Sequence, residues 1–285
     1  MNLILFEPTE IDRPLARTDR RAQHILNVLR LAVGGTFDAA LVNGPRGKAT
    51  LTTLSADALT LHFAWPAPAH GNLSSIGSIA SIEPTTVEPI TLIVGLPRPQ
   101  TARDILRDAT TLGLVALHFV RTDKAESSYA QSSLWSSGEW RRHLLTGAEQ
   151  AFDPRVPEVT YGKPLAEILA TLPATPATPP LPATTLATRI VLDNYESPKP
   201  LGKFQFPLSL PPTPASPFAT AFSLALASAT PLILALGAER GWSAAERDLF
   251  RAHHFAFAHL GPRVLRTETA VIAALAIIRA KLGLM

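Results

Sequence analysis

The chain has 285 residues, is 46% hydrophobic and contains no cysteine, which excludes disulfides, thiolate metal sites and a cysteine nucleophile. That length carries one large domain or two modest ones. Lys and Arg number 26 against 23 Asp and Glu, a net charge of only +3, so any nucleic-acid partner has to meet a local basic face rather than a basic chain.

The N-terminus, Met1 to Glu7, lacks a basic leader and does not read as a signal peptide. Residues 1–70 read as β-rich: Leu3–Phe6, Thr36–Val42, Ala49–Leu54 and Leu59–Phe63 are short apolar segments separated by turn signals such as Asn43-Gly44-Pro45. Ala22, Ile25, Leu26 and Leu29 recur at helical spacing, and Gly34-Gly35 ends that element. Residues 66–89, punctuated by Pro and Gly, read as a linker.

From residue 90 the pattern becomes strand then helix, repeated. Ile90–Leu96 is continuously apolar, as a strand buried on both faces is. Thr101 with Asp104 predicts a capping box, Ala102 to Leu112 supplies an apolar stripe, and Gly113 stops the helix. Leu114–Val120 is the next strand, and Ser136 with Glu139 predicts another capped helix. Arg189–Leu192, Leu232–Leu236 and Phe255–Leu260 read as strands, Ser243 with Glu246 as a cap, and Thr267 to about Leu282 as the last helix. This alternation predicts an α/β fold with a parallel sheet covered on both faces. The stretches 171–184 and 207–217 are rich in Pro and read as surface excursions. The apolar run Ala270–Ile278 falls far short of the roughly 18–20 residues that span a bilayer, so no membrane partner and a cytoplasmic location are expected.

Three segments carry chemistry. Leu234 to Ser243 takes an apolar strand through a loop flanked by Gly237 and Gly241 into a capped helix; such loops lie at the carboxyl edge of a parallel sheet, where α/β proteins bind ligands. Leu260-Gly261-Pro262-Arg263-Val264-Leu265-Arg266-Thr267-Glu268-Thr269-Ala270 breaks a strand and opens a helix that is apolar nearly all round, which calls for burial on most sides, with a subunit interface as one place for it. Gly147 to Val159 ends a helix in polar residues and a Pro-locked extended segment.

Together these segments resemble the RsmE family of 16S ribosomal RNA uridine-N3 methyltransferases, within the SPOUT superfamily. The family pattern L-G-x-x-(I/V)-L-R-x-E-T-A is met without a break from Leu260 to Ala270, and G-P-E-G-G-(F/W/L)-(S/T)-x-x-E is met from Gly237 to Glu246 except at Ala238 and Arg240. E-Q-x-x-R-x-x-(V/I)-P-x-(I/V) is met in part from Glu149 to Val159, with Phe152-Asp153 in place of Gly-Arg; H-x-x-x-V-L-R-x-x-x-G is met at His24, Val28, Leu29, Arg30 and Gly34. The helix K-A-T-E-L-G stands here as Asp108 to Gly113, with Asp108 in place of Lys and Thr111 in place of Glu, so neither family charge is kept.

The resemblance implies a PUA-like RNA-binding β-barrel over 1–72, a linker over 73–89, and a SPOUT methyltransferase domain over 90–285 whose C-terminal trefoil knot holds S-adenosylmethionine without a metal. It implies cofactor contacts at Leu236, Gly237, Glu239, Gly241, Leu260, Gly261, Leu265 and Arg266, and a homodimer formed through the knot helices. The substrate it implies is a uridine N3 in ribosomal RNA or the small-subunit particle. Uracil N3 is protonated at neutral pH, so the reaction needs stabilisation of the developing anion, expected from Arg266, and a base or an orienter of Arg266, expected from Glu268. Arginines crowd the N-terminal region; Arg17, Arg21 and Arg30, with Arg155, are the expected RNA contacts. The departures at Asp153 and Arg240 support a second expectation: an RNA-binding or ribosome-assembly protein of the same fold without turnover.

Overall fold

The computed structural model describes residues 3–66, 90–172, 189–206 and 232–285; the predicted linker and nearly all of both Pro-rich stretches lie outside the described residues. The chain divides into two compact units, Met1–Ser81 with Leu145–Val156, and Ile82–Leu144 with Pro157–Met285. The segment Leu145–Val156, which the sequence grouped with 90–285, therefore packs with the first unit.

In the first unit β1 (Ile4–Phe6), β2 (Leu15–Ala16), β3 (Thr36–Leu41), β4 (Arg46–Leu54) and β5 (Ala58–Ala64) form a five-stranded sheet in the order β1-β3-β4-β5-β2. Only β1 and β3 run parallel. Helix α1 (Arg20–Gln23) is capped by the Asp19 side chain, which accepts from Arg21 N at 2.7 Å, and continues into a π-helical turn over His24–Val28. Ala22 and Ile25 of this element pack on Ile4, Phe6, Phe37, Leu51 and Leu59. The segment Leu145–Val156 is fastened by Asn43: its N–H donates to Pro154 O at 2.9 Å and its side chain accepts from Val156 N at 2.9 Å.

The second unit contains β6 (Ile90–Gly95), α2 (Pro99–Leu112), β7 (Ala116–Arg121), α3 (Ser133–Ser136), the first residues of α4 (Glu139–Ala151), β8 (Glu158–Pro164), α5 (Leu165–Thr171), β9 (Arg189–Leu192), β10 (Lys199–Pro200), β11 (Leu232–Leu236), α6 (Ala244–Ala252), β12 (Ala256–His259) and α7 (Thr267–Lys281). The seven strands pair in parallel in the order β10-β12-β9-β11-β6-β7-β8. Every residue of β11 is buried, which is why its sequence shows no alternation. The consecutive strands β11 and β12 flank β9 on opposite sides, so the loops that leave their carboxyl ends converge beside the end of β9. That reversal of strand order is the place where open α/β sheets bind ligands.

Two expectations need correction. Helix α2 starts at Pro99, not at Thr101: proline's fixed φ suits the first helical position, Arg98 is the N-cap residue without a side-chain bond, and Thr101 is buried inside the first turn. Ser136 does not cap α4; its hydroxyl donates to Ser132 O, and Ser137 Oγ accepts from Glu139 N at 3.3 Å. Helix α7 buries one face, through Val271, Ala274, Leu275 and Ile278, while Ile272 on another face stays exposed.

Candidate functional site

The loop after β11 is locked by backbone approach. Gly241 has φ +63°, and its N–H donates to Ala238 O at 2.8 Å, closing a tight turn. A Cβ on Gly237 would lie 2.8 Å from Gly241 Cα, and one on Gly95, at the end of β6, 2.6 Å from Ala238 N. Neither position tolerates a side chain without moving the loop.

Fixed side chains hold the far end. Trp242 is fully buried, donates its indole N–H to Leu192 O at 3.2 Å and meets Phe250 edge-on at 4.7 Å. Ser243 and Glu246 form the predicted capping box, with Ser243 N donating to Glu246 Oε2 at 2.7 Å. The second oxygen of Glu246 accepts from Asp123 N at 2.8 Å, and Lys124 Nζ donates to Trp242 O at 2.8 Å. Glu239 accepts from Arg98 N at 3.2 Å and from its Nε at 3.3 Å, tying the turn to the start of α2.

The loop after β9 is organised by Asp193, 5% exposed. One carboxylate oxygen accepts from Tyr195 N and Glu196 N, each at 2.8 Å; the other accepts from Arg247 Nε at 2.9 Å. After β12, Gly261 N donates to His259 Nδ1 at 3.0 Å, which places the proton of the neutral imidazole on Nε2. Gly261 adopts φ +115°, a conformation that favours glycine, and Arg266 is the extended N-cap residue of α7.

These three loops, with Arg98 and Thr101, line one cleft of about 880 Å³. Leu236, Gly237, Glu239, Gly241, Leu260, Gly261, Leu265, Arg266 and Glu268, the whole predicted cofactor and catalytic set, lie on its wall. Arg240, Arg263 and Arg266 are exposed there and form no ion pair among the described residues. Arg266 and Glu268 form no ion pair with each other. Sequence reasoning missed Gly95, Asp193, Asn194 and Tyr195; Asp193-Asn194 directly after a short apolar strand was an available turn signal.

The predicted RNA contacts are differently placed. Arg21 is committed to Glu10 (2.7 Å) and Asp19 (2.8 Å) and lies over the Phe6 ring at 4.9 Å. Hydrogen bonds from Arg21 hold Glu10 below the usual carboxylate range; at Asp19 burial pushes upward, but the bonds from Arg21 outweigh it and the net shift is down. Arg155 is bonded to Asp153, and these bonds likewise outweigh burial and hold that carboxyl low. Arg17 is exposed and donates to Ser55 O at 3.2 Å; Arg30 is exposed, with φ +54°.

Residues 83–279 match the family described as RNA methyltransferase domain. The chain is 31% identical, over 98% of its length and 91% of the relative, to ribosomal RNA small subunit methyltransferase E of Treponema pallidum. It is 26% identical to the protein of the same name from Synechocystis, over 95% of this chain and 75% of that one. This chain belongs to the RsmE family of ribosomal RNA methyltransferases, in the SPOUT superfamily. Solved structures share the fold: the RsmE protein of Neisseria gonorrhoeae bound to S-adenosyl methionine (TM-score 0.66, 21% identity, 98% of this chain and 97% of that one) and a putative Legionella pneumophila methyltransferase with bound SAM (TM-score 0.68, 18% identity, 98% and 96%).

Set against the RsmE pattern, the departures are accommodated locally. Arg240 sits exposed at the tip of the turn, and Ala238 keeps the backbone against Gly95. Phe152 adopts φ +58°, its carbonyl accepts from Arg46 at 2.8 Å, and its ring lies 5.7 Å from the same guanidinium. Asp153 spends its charge on Arg155 rather than opposing a free cation.

Proposed function

We propose that this RsmE-family chain uses S-adenosylmethionine to methylate N3 of a uridine in 16S ribosomal RNA. The observation that carries the reading is the convergence of the Gly237–Gly241 turn and the Gly261–Arg266 loop on one cleft at the carboxyl edge of the parallel sheet. The cleft's volume suits a nucleoside-sized ligand, and glycine backbone on two sides lets an adenine and ribose approach without side-chain obstruction. Leu236, Gly237, Glu239, Gly241, Leu260, Gly261 and Leu265 would hold the cofactor. When bound, it supplies an electrophilic methyl group on a sulfonium centre.

The protein's part is positioning and charge. Arg266, unpaired on the cleft wall, stabilises the negative charge that develops on uracil as N3 gives up its proton, and Glu268, one residue into α7, accepts that proton. Arg17 and Arg30 remain available for RNA phosphates in the first unit, which we assign to a PUA-like RNA-binding domain. A trefoil knot in the second unit and a homodimer through the exposed apolar face of α7, around Ile272, complete the reading. No described helix is long and apolar enough to cross a membrane, in keeping with a cytoplasmic enzyme that meets the small-subunit particle.

The second reading, an RNA-binding protein of this fold without turnover, draws on Arg240, whose cation stands where the family has glycine. Two measurements separate them. Calorimetry with S-adenosylmethionine should give saturable binding, and its absence would remove the enzyme reading. Mass spectrometry of ribosomal RNA from a deletion strain should show 3-methyluridine lost from 16S RNA; an unchanged level would remove the uridine-N3 assignment and leave the enzyme class standing.

A further inference from the structure

Tyr195 combines two properties that rarely meet. It is 79% exposed, yet its backbone N–H is held by a buried carboxylate. Asp193, itself buried, accepts from the N–H of Tyr195 and of Glu196, and the Ser197 hydroxyl donates to the Asp193 carbonyl. The Arg247 guanidinium, fixed by Asp193 at 2.9 Å and by Glu196 at 3.7 Å, lies 5.3 Å from the Tyr195 ring centroid. One face of the ring therefore rests on an immobilised cation, while the side chain as a whole stays open to solvent. A tyrosine in water on a rigid loop adds nothing to folding through burial. What it does offer is a flat aromatic surface whose ordering cost has been met in advance.

We propose that Tyr195 is the stacking surface for the target base of the RNA substrate at the mouth of the cleft. The inference rests on the RNA methyltransferase reading and names the side chain that would position the base. Two observations favour RNA over the cofactor as the ring's partner. The buried wall of the cleft is made by Leu236, Ala238 and Asp193, whereas Tyr195 is exposed. The exposed arginines Arg240 and Arg263 share the same cleft and carry no ion pair among the described residues, so phosphate-binding charge accompanies the ring. An unpaired base splayed from an RNA strand presents a π face, which aromatic side chains take up with little regard to its identity. Tyr195 would then hold the base in place and leave discrimination to the groups around its edge.

The test uses the full chain. A fluorescently labelled single-stranded RNA carrying the target uridine is titrated by anisotropy, S-adenosylmethionine by calorimetry, and methyl transfer is followed in parallel. Tyr195→Ala should weaken RNA affinity and raise the RNA KM about ten-fold, the scale of one lost base stack. Tyr195→Phe should stay within about two-fold of the parent, since the ring and not the hydroxyl is used. Cofactor affinity should be unchanged in both. With an abasic RNA at the target position, the difference between Tyr195→Ala and the parent should vanish, because the two deletions remove one contact. Unchanged RNA affinity in Tyr195→Ala, an effect that persists on the abasic RNA, or an equal loss of cofactor affinity would each overturn the proposal. The anisotropy readout needs no turnover, so a parent chain that binds RNA without methylating it would sink the enzyme reading and still decide the role of Tyr195.

Discussion

The arginines of the two units differ in what they are free to do. In the first unit Arg21 is locked between Glu10 and Asp19, Arg20 reaches Glu149 at 3.3 Å and Arg46 is spent on Phe152, while Arg13, Arg17 and Arg30 are exposed with no ion pair among the described residues. In the second, Arg247 is locked on Asp193, but Arg240, Arg263 and Arg266 stand exposed on the cleft wall with no ion pair among the described residues. The cluster of arginines between Arg13 and Arg30 points to the first unit as the place for nucleic acid. Availability separates arginines within each unit: Arg13, Arg17 and Arg30 in the first and Arg240, Arg263 and Arg266 on the cleft can meet a phosphate, whereas a guanidinium already matched to carboxylates would have to break those bonds first.

The contrast can be broken most sharply at Arg266. Arg266→Ala should lower single-turnover methyl transfer about 100-fold, the cost of removing a charge-stabilising group from a transition state, or roughly 2.7 kcal/mol. Its melting temperature should hardly move, since the side chain is exposed. A rate within three-fold of the parent would remove Arg266 from the mechanism.

Arg21→Met should do the reverse. Taking the cation from two half-buried carboxylates should cost about 2 kcal/mol of stability, below the range for fully buried pairs, with RNA affinity nearly unchanged. Urea unfolding and anisotropy together check this; a large affinity loss without a stability loss would return Arg21 to the RNA-contact set.

Replacing Arg240 and Arg263 together by Gln should weaken RNA binding about ten-fold and flatten its salt dependence by up to roughly two units of slope. An unaltered salt slope would show that neither meets phosphate.

The smallest expected effect is in acid. Glu10 and Asp19 ionise below their ordinary values of 4.5 and 3.8, so the stability they contribute is complete above those values and is lost as pH falls through the lowered folded values. The stability gap between the parent and Arg21→Met should therefore narrow as pH drops from 6 towards 3. A gap constant over that window would mean that the pairing does not support the first unit.

Much of the second unit was legible in the sequence because its signals are local. Continuous apolar runs marked β6 and β11, Ser243 with Glu246 marked the start of α6, and Gly113 marked the end of α2. The capping pairs Thr101 with Asp104 and Ser136 with Glu139 misled, because the same residue spacing occurs inside helices and between them, and only the backbone path tells the cases apart. The short strands β2 and β10 were not found, since two residues carry no period to read.

The motif from Leu260 to Ala270 shows where each kind of information ends. By itself the sequence determined the family, the loop that Gly261 permits and the helix that begins at Thr267, because these depend on residue type and on neighbours a few positions away. Only the tertiary structure decided that this loop faces the Gly237–Gly241 turn, that Gly95 must lack a Cβ against Ala238, and that Asp193 and Arg247 hold Tyr195 at the rim. It also decided which arginines are spent and which remain free. Those facts are set by contacts between residues far apart in the chain, and the parallel order β12-β9-β11 is what brings them together.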